Sequence, residues 1–270
     1  MDVISGHHFM KLADICICEP NINHLLRNDV KKIYNIDNVD KNQLKSGKII
    51  FVKTDYVMIF FHRYYKFLGE NVTIITHNSD YEIVKSTDRL INLSKIRKWY
   101  AQNTKFLHPK LHSIPIGIAN PQYPHGNSEL LNKVKDKKLK KENLLYINFT
   151  INTNRKIRQE IFQIFKDRPN DCNKNLSQEQ YLDNLSSSKY CLSPPGNGTD
   201  CHRIWEALYL DTIPIVMDNI AFEQFKDLPI LFISDWSDVN NNFLNNKYEE
   251  ISKRKRDKIY IDFWKNEISS

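Results

Sequence analysis

From Ser193 to Glu206 the chain reads Ser-Pro-Pro-Gly-Asn-Gly-Thr-Asp-Cys-His-Arg-Ile-Trp-Glu, its densest gathering of groups suited to an anion or a sugar. Arg203 falls in the first turn of an expected helix, where its planar guanidinium fork can hold a diphosphate bidentately. Glu206 lies three residues on, on the same helix face, and a carboxylate there can accept hydrogen bonds from vicinal hydroxyls. Gly196 and Gly198 permit close approach of a ligand to the main chain. The N–H groups opening the helix favour an anion at that point. The same spacing also gives an ordinary strand-to-helix turn with a surface Arg/Glu pair, and the residue types weigh the two equally. The Walker ending Gly-Lys-Ser/Thr and the dinucleotide fingerprint are both missing.

The elements around this segment alternate. Lys48–Val52 reads as a buried strand, and Tyr56–Leu68 as a helix stopped by Gly69. Val72–Thr76 is a β-branched strand running into the polar turn His77-Asn78-Ser79-Asp80. Leu90, Leu93, Ile96 and Tyr100 recur at helical spacing, and strands are expected at Lys105–Leu107 and Ser113–Ile118. After a lysine-rich stretch the pattern restarts with the strand Leu144–Phe149, a polar loop Thr150–Asn154, and a helix Arg155–Phe165 presenting Ile157, Ile161, Ile164 and Phe165. Ser177 and Gln180 form a capping-box pattern. Short strands at Tyr190–Leu192 and Ile213–Met217 flank a helix at Cys201–Leu210. Such alternation predicts parallel sheets covered by helices. The restart near residue 143 predicts two units with a ligand cleft between them, with one continuous α/β sheet as the alternative.

Composition narrows the classes. Hydrophobic residues at 41% and aromatics at 11% supply real cores and exclude global disorder. No apolar run reaches the roughly 20 residues of a membrane helix, and the start lacks signal-peptide features, so a cytoplasmic protein is expected. The five cysteines are scattered and read as reduced, mostly buried thiols. The net charge of +7 is concentrated in Lys133–Lys141 and Lys253–Lys258. Without interleaved aromatics these runs read as solvated faces, and no nucleic-acid partner is expected.

The Pro/Gly loop with Asp200, Arg203 and Glu206, followed by Ile213-Pro214-Ile215-Val216, resembles the donor-binding signature of exostosin-like glycosyltransferases. The likeness is good over Tyr190–Asn219 and looser over Leu144–Arg158, and is closest to small soluble forms encoded by large algal DNA viruses. Cys201 and His202, and Asp211-Thr212, depart from the family pattern. The resemblance implies an α/β fold of GT-B type: two Rossmann-like units with a cleft between them. The expected layout is an acceptor-side unit at 1–125, a basic linker at 126–142, a nucleotide-sugar unit at 143–250, and a C-terminal helical segment at 251–270 that packs back on the first unit.

It further implies an inverting transferase that moves a sugar from a UDP-sugar, xylose or galactose first, to a hydroxyl of a glycan or glycoprotein acceptor. The alternative is a non-catalytic carbohydrate- or nucleotide-binding protein of the same fold. By this resemblance Ser193, Pro195, Gly196, Asn197, Gly198, Asp200, Arg203 and Glu206 line the donor site. Arg158, rather than Arg155, is expected on the pyrophosphate. Direct displacement needs one general base on the acceptor side. Asp80 is the expected base, with His77 second and Asp14 a distant third, while His8, Asn78 and Ser79 are expected near the acceptor. No Asp-x-Asp pair is present, so neither a metal nor any cofactor beyond the co-substrate is expected.

Overall fold

A computed structural model describes residues 2–19, 32–172 and 174–270. The chain divides into two units, one formed by Met1–Ile116 together with Ile261–Ser270, the other by Gly117–Tyr260. Each is a parallel sheet with helices, as a GT-B-like α/β chain requires. Among the described residues no helix is long and apolar enough to cross a membrane.

The first unit has strands β1 Ile15–Ile17, β2 Ile33–Tyr34, β3 Ile49–Lys53, β4 Val72–His77, β5 Ile96–Ala101 and β6 Leu111–Ser113, in the order β2-β1-β3-β4-β5-β6. All are paired in parallel. Its helices are α1 Gly6–Leu12, α2 Lys41–Ser46, α3 Val57–Tyr64 and α4 Asp88–Ile91. Every residue of β4 is buried, as expected of a β-branched run covered on both faces. On one face Phe61 of α3 stacks on Trp99 at 5.3 Å, and the Trp99 indole donates to Thr76 Oγ1 at 2.9 Å.

The helical spacing read through Leu90–Tyr100 does not survive. Helix α4 ends at Ile91, and Ile96–Ala101 is a strand whose Trp99, Tyr100 and Ala101 are all buried. A strand covered on both faces loses its period of two, and large residues then mimic a helical repeat. Lys105–Leu107 is not a strand either; only an isolated bridge pairs Thr104 with Ile83.

The second unit has β7 Asn143–Tyr146, β8 Ser188–Leu192, β9 Ile213–Met217 and β10 Leu231–Ile233, in the order β10-β9-β8-β7, again parallel. Its helices are α5 Ser128–Asp136, α6 Arg155–Phe165, α7 Gln178–Ser186, α8 His202–Tyr209 and α9 Asn241–Ser252. The lysine-rich segment expected as a linker contains α5, which Asn127 caps by accepting the Leu130 N–H at 2.9 Å and which buries Leu131 and Val134. Four of its six lysines have partners inside the unit. Lys133 and Lys137 meet Glu179, Lys137 also meets Asp183, and Lys135 meets Asp211. Lys141 donates to Ser186 O, Leu210 O and Thr212 Oγ1 at 2.7, 2.9 and 2.8 Å, closing the ends of α7 and α8. In the second basic run, Arg254 donates to Lys226 O and Lys258 pairs with Asp227.

The last helix, α10 Ile261–Ser269, clusters with the first unit. Tyr100, adjacent to Trp99 and so on the opposite sheet face, donates its hydroxyl to Glu267 O at 2.8 Å. Arg97 reaches Ser270 O at 3.0 Å, and Trp264 sets its ring against Phe9 of α1 at 6.1 Å.

Candidate active site

Strand β8 hands its chain to α8 through the Pro/Gly loop. Ser193 extends the ladder by donating its N–H to Ile215 O at 3.0 Å, and Pro194 and Pro195, which have no N–H, end it. Ser193 is buried, with its hydroxyl 3.5 Å from Cys191 Sγ. Gly196 and Gly198 are buried, while Asn197 is exposed. Cys201 is the extended N-cap of α8 and supplies no side-chain cap. Asp200 instead accepts from the Trp205 indole at 2.9 and 3.0 Å through its two oxygens, pinning the loop to the helix. The structure therefore gives Asp200 an anchoring contact, and Trp205 is wholly buried in the core.

Arg203 and Glu206 form the polar face of α8. The Arg203 Nε is buried and has no hydrogen-bond partner among the described residues. Burial opposes its charge, but Tyr181, Cys201, Cys191 and Glu206 outweigh that and raise its pKa. Glu206 is buried and accepts one hydrogen bond at Oε2 from the Tyr181 hydroxyl of α7, at 2.8 Å. Burial, and then Glu206, push the Tyr181 hydroxyl well above its usual pKa, so it stays a donor. Tyr181 was not among the expected residues. It lies 25 positions before Glu206, and only the packing of α7 against the sheet brings the two together.

Helix α6 is rolled relative to its hydrophobic pattern. It buries Arg158, Ile161 and Phe165, and leaves Ile157 and Ile164 39% and 50% exposed. Arg158 takes the inward position because its donors are satisfied there: Nε gives to Pro195 O at 2.9 Å, Nη1 to Thr150 O at 2.8 Å and Nη2 to Pro194 O at 3.2 Å. Asn154 adds a bond from Nδ2 to Gly196 O at 2.9 Å. Burial, and then Arg203, lower the Arg158 pKa to about 10, so it remains a cation at neutral pH. The guanidinium expected on a pyrophosphate thus faces loop carbonyls. Arg155 is exposed.

In the first unit β4 delivers His77 and the turn after it. His77 is 1% exposed. Its Nε2 lies 3.0 Å from Pro115 O, and a carbonyl only accepts, so Nε2 carries the proton. Its Nδ1 is then the acceptor, and the Asn78 N–H fills it at 2.7 Å. Both nitrogens of His77 have hydrogen-bond partners in the free protein. Asn78 has a left-handed φ of 60°, and Ser79 Oγ accepts the Tyr81 N–H at 3.1 Å, so these two shape the turn that leaves Asp80 exposed. Helix α1 begins hard against this turn, because a Cβ on Gly6 would overlap the Asn78 carboxamide. His8 is half-buried, its Nδ1 3.0 Å from Ser5 Oγ, and burial followed by Lys11 lowers its pKa. Asp14 accepts the Lys48 and Ile49 N–H groups at 2.9 and 3.1 Å, a structural use. No cluster of His, Cys, Asp or Glu able to hold a metal occurs among the described residues.

Residues 134–268, half of the chain, match the model of the family described as RXYLT1 C-terminal domain. The chain belongs to that family. The match takes in α6, α7 and α8 with the loop that bears Arg203 and Glu206, and it supports a glycosyltransferase. Among solved structures, the chain is similar to a glycosyltransferase from Rickettsia africae ESF-5, at 13% identity and a TM-score of 0.44 over 97% of this chain and 89% of that one. No curated protein matches.

Proposed function

We propose that this RXYLT1-family glycosyltransferase takes a UDP-sugar, binds its diphosphate at Arg203 and the Pro194–Asp200 loop, and binds the ribose hydroxyls at Glu206. The observation that carries the reading is the buried Arg203 Nε without a protein partner, one helical turn from a carboxylate that Tyr181 holds by one oxygen. A buried unpaired donor is costly unless a ligand completes it. Membership in a family of xylosyltransferases favours UDP-xylose as the first donor, with UDP-galactose second. The reading extends the exostosin-like resemblance of the donor loop.

The reaction proposed is a single displacement with inversion. The acceptor hydroxyl oxygen attacks the anomeric carbon, Asp80 takes its proton, and the electron pair of the breaking C–O bond leaves with UDP. Charge building on the leaving phosphate is met by Arg203 and by main-chain N–H groups, so no metal is required of the mechanism. Calorimetric titration with UDP, followed by assay of UDP release from a panel of UDP-sugars with glycan acceptors, tests this. The expected result is UDP binding, turnover on at least one pentosyl or hexosyl donor with an inverted product, and activity that survives EDTA. Failure to bind UDP or any UDP-sugar would sink the donor reading. Binding without turnover on any acceptor would favour the non-catalytic alternative.

A further inference from the structure

Arg158 contributes three hydrogen bonds to main-chain carbonyls, those of Thr150, Pro194 and Pro195. Asn154, at the start of the same helix, takes the next carbonyl, Gly196 O. Successive carbonyls of the donor loop are therefore all drawn toward α6. A peptide unit is planar and trans, so its N–H points opposite to its C=O, and the described residues contain no cis peptide bond. Holding Pro195 O and Gly196 O inward consequently turns the Gly196 and Asn197 N–H groups outward, away from Arg158. Pro194 and Pro195 have no N–H, so the first donor the loop presents is that of Gly196. The loop sits tightly on the guanidinium, since a Cβ on Gly196 would lie 3.3 Å from Arg158 Nη2 and 3.6 Å from Thr153 Cγ2.

We propose that Arg158 is a positioning residue and not a phosphate ligand: from behind the loop it sets the Gly196 N–H to receive an oxygen of a diphosphate. The inference rests on the donor-site reading and deepens it. A main-chain N–H is a donor suited to a phosphate oxygen, and the geometry of Arg158 rather than its charge alone maintains its direction. A lysine in its place keeps the cation but cannot serve three carbonyls in a planar fork.

The test uses the sequence itself. Gly196 is the one glycine of seven that follows a proline, so a chain labelled with carbonyl-¹³C proline and ¹⁵N glycine gives a single Pro-Gly amide signal. Inorganic pyrophosphate and UDP are titrated separately against that signal. Both ligands should move it downfield in the parent. Arg158→Lys and Arg158→Met should each weaken pyrophosphate and UDP by roughly tenfold or more, and to a similar extent, as loss of a charge-assisted hydrogen bond does. Uridine, which has no phosphate, should bind both variants as it binds the parent. Should Arg158→Lys keep parental pyrophosphate affinity while Arg158→Met loses it, the guanidinium acts as a direct ligand and the proposal falls. It falls equally when UDP binds the parent without moving the Gly196 signal, an outcome that leaves the donor reading standing. Pyrophosphate moving the signal while UDP fails to bind would support the positioning role and overturn the donor reading. If the variants do not fold, the parent titration still decides whether Gly196 N–H receives the anion.

Discussion

Replacing Arg203 by methionine separates the two uses a buried arginine can have. The side chain keeps most of its apolar stem and loses its guanidinium. In the free protein the Arg203 Nε has no acceptor among the described residues, so its removal breaks no bond there. An unsatisfied buried donor costs about 1–3 kcal/mol, and deleting it returns up to that amount, less the packing lost at the tip. Against that gain, the variant leaves buried Glu206 without the cation that the fold favours, so the free variant should melt within a few degrees of the parent, at roughly 2–4 °C per kcal/mol for a unit of this size. Binding should change much more. A hydrogen bond from a charged donor to a phosphate is worth about 1.5–3 kcal/mol, so the Kd for UDP should rise by roughly 10- to 150-fold. Calorimetry gives the affinity and scanning of the free protein gives the melting temperature. A variant that melts several degrees lower while binding UDP like the parent would show that Arg203 is structural.

Tyr181→Phe removes the 2.8 Å bond to Glu206 Oε2 and should raise the donor KM by roughly tenfold, the worth of a hydrogen bond to a charged group, with kcat little changed; a KM within twofold of the parent would refute it. Asp80→Asn should cut turnover by about 10²–10⁴-fold while UDP affinity stays parental, and His77→Ala should not reproduce that split, since both nitrogens of His77 are already engaged. His7 gives a pH effect: burial, then Lys11 and His8, lower its pKa to about 4 from the ordinary 6.5. The unfolded chain thus gains a proton first as pH falls, so this contribution to stability is complete above pH ~6.5 and disappears toward pH ~4, an upper limit of roughly 3 kcal/mol. His7→Gln should flatten the decline of the urea midpoint between pH 7 and 4.5, and parallel curves for parent and variant would count against it.

What was legible in the sequence depended on whether one element could declare itself. Ile213–Met217 did so as an unbroken apolar run, and Ser177 with Gln180 announced α7 by a local, reciprocal cap that the structure contains. The strands Ile15–Ile17 and Ile33–Tyr34 are too short to show a period, and β5 hides its period by being covered on both faces. For the candidate site, the segment bearing Arg203 and Glu206 was legible because its groups are close in sequence. Tyr181 was not, because its partner is set by helix packing. The partners of Arg158 were not legible: a hydrophobic pattern favours burying Ile157, and nothing local reveals that three carbonyls meet an arginine there. The surroundings of His77 were not legible either, because the carbonyl its Nε2 meets belongs to Pro115, 38 residues away.

The return of Ile261–Ser270 to the first unit sets an order of events during synthesis. The second unit is a contiguous stretch, Gly117–Tyr260, and all of it has been made before α10 is. The first unit must wait: until α10 arrives, the Tyr100 hydroxyl and the Arg97 guanidinium lack their acceptors at Glu267 and Ser270, and Phe9 lacks Trp264. Growing chains usually complete their N-terminal domain first. Here the later-made unit is contiguous, while the earlier one keeps an uncovered sheet face until α10 is in place.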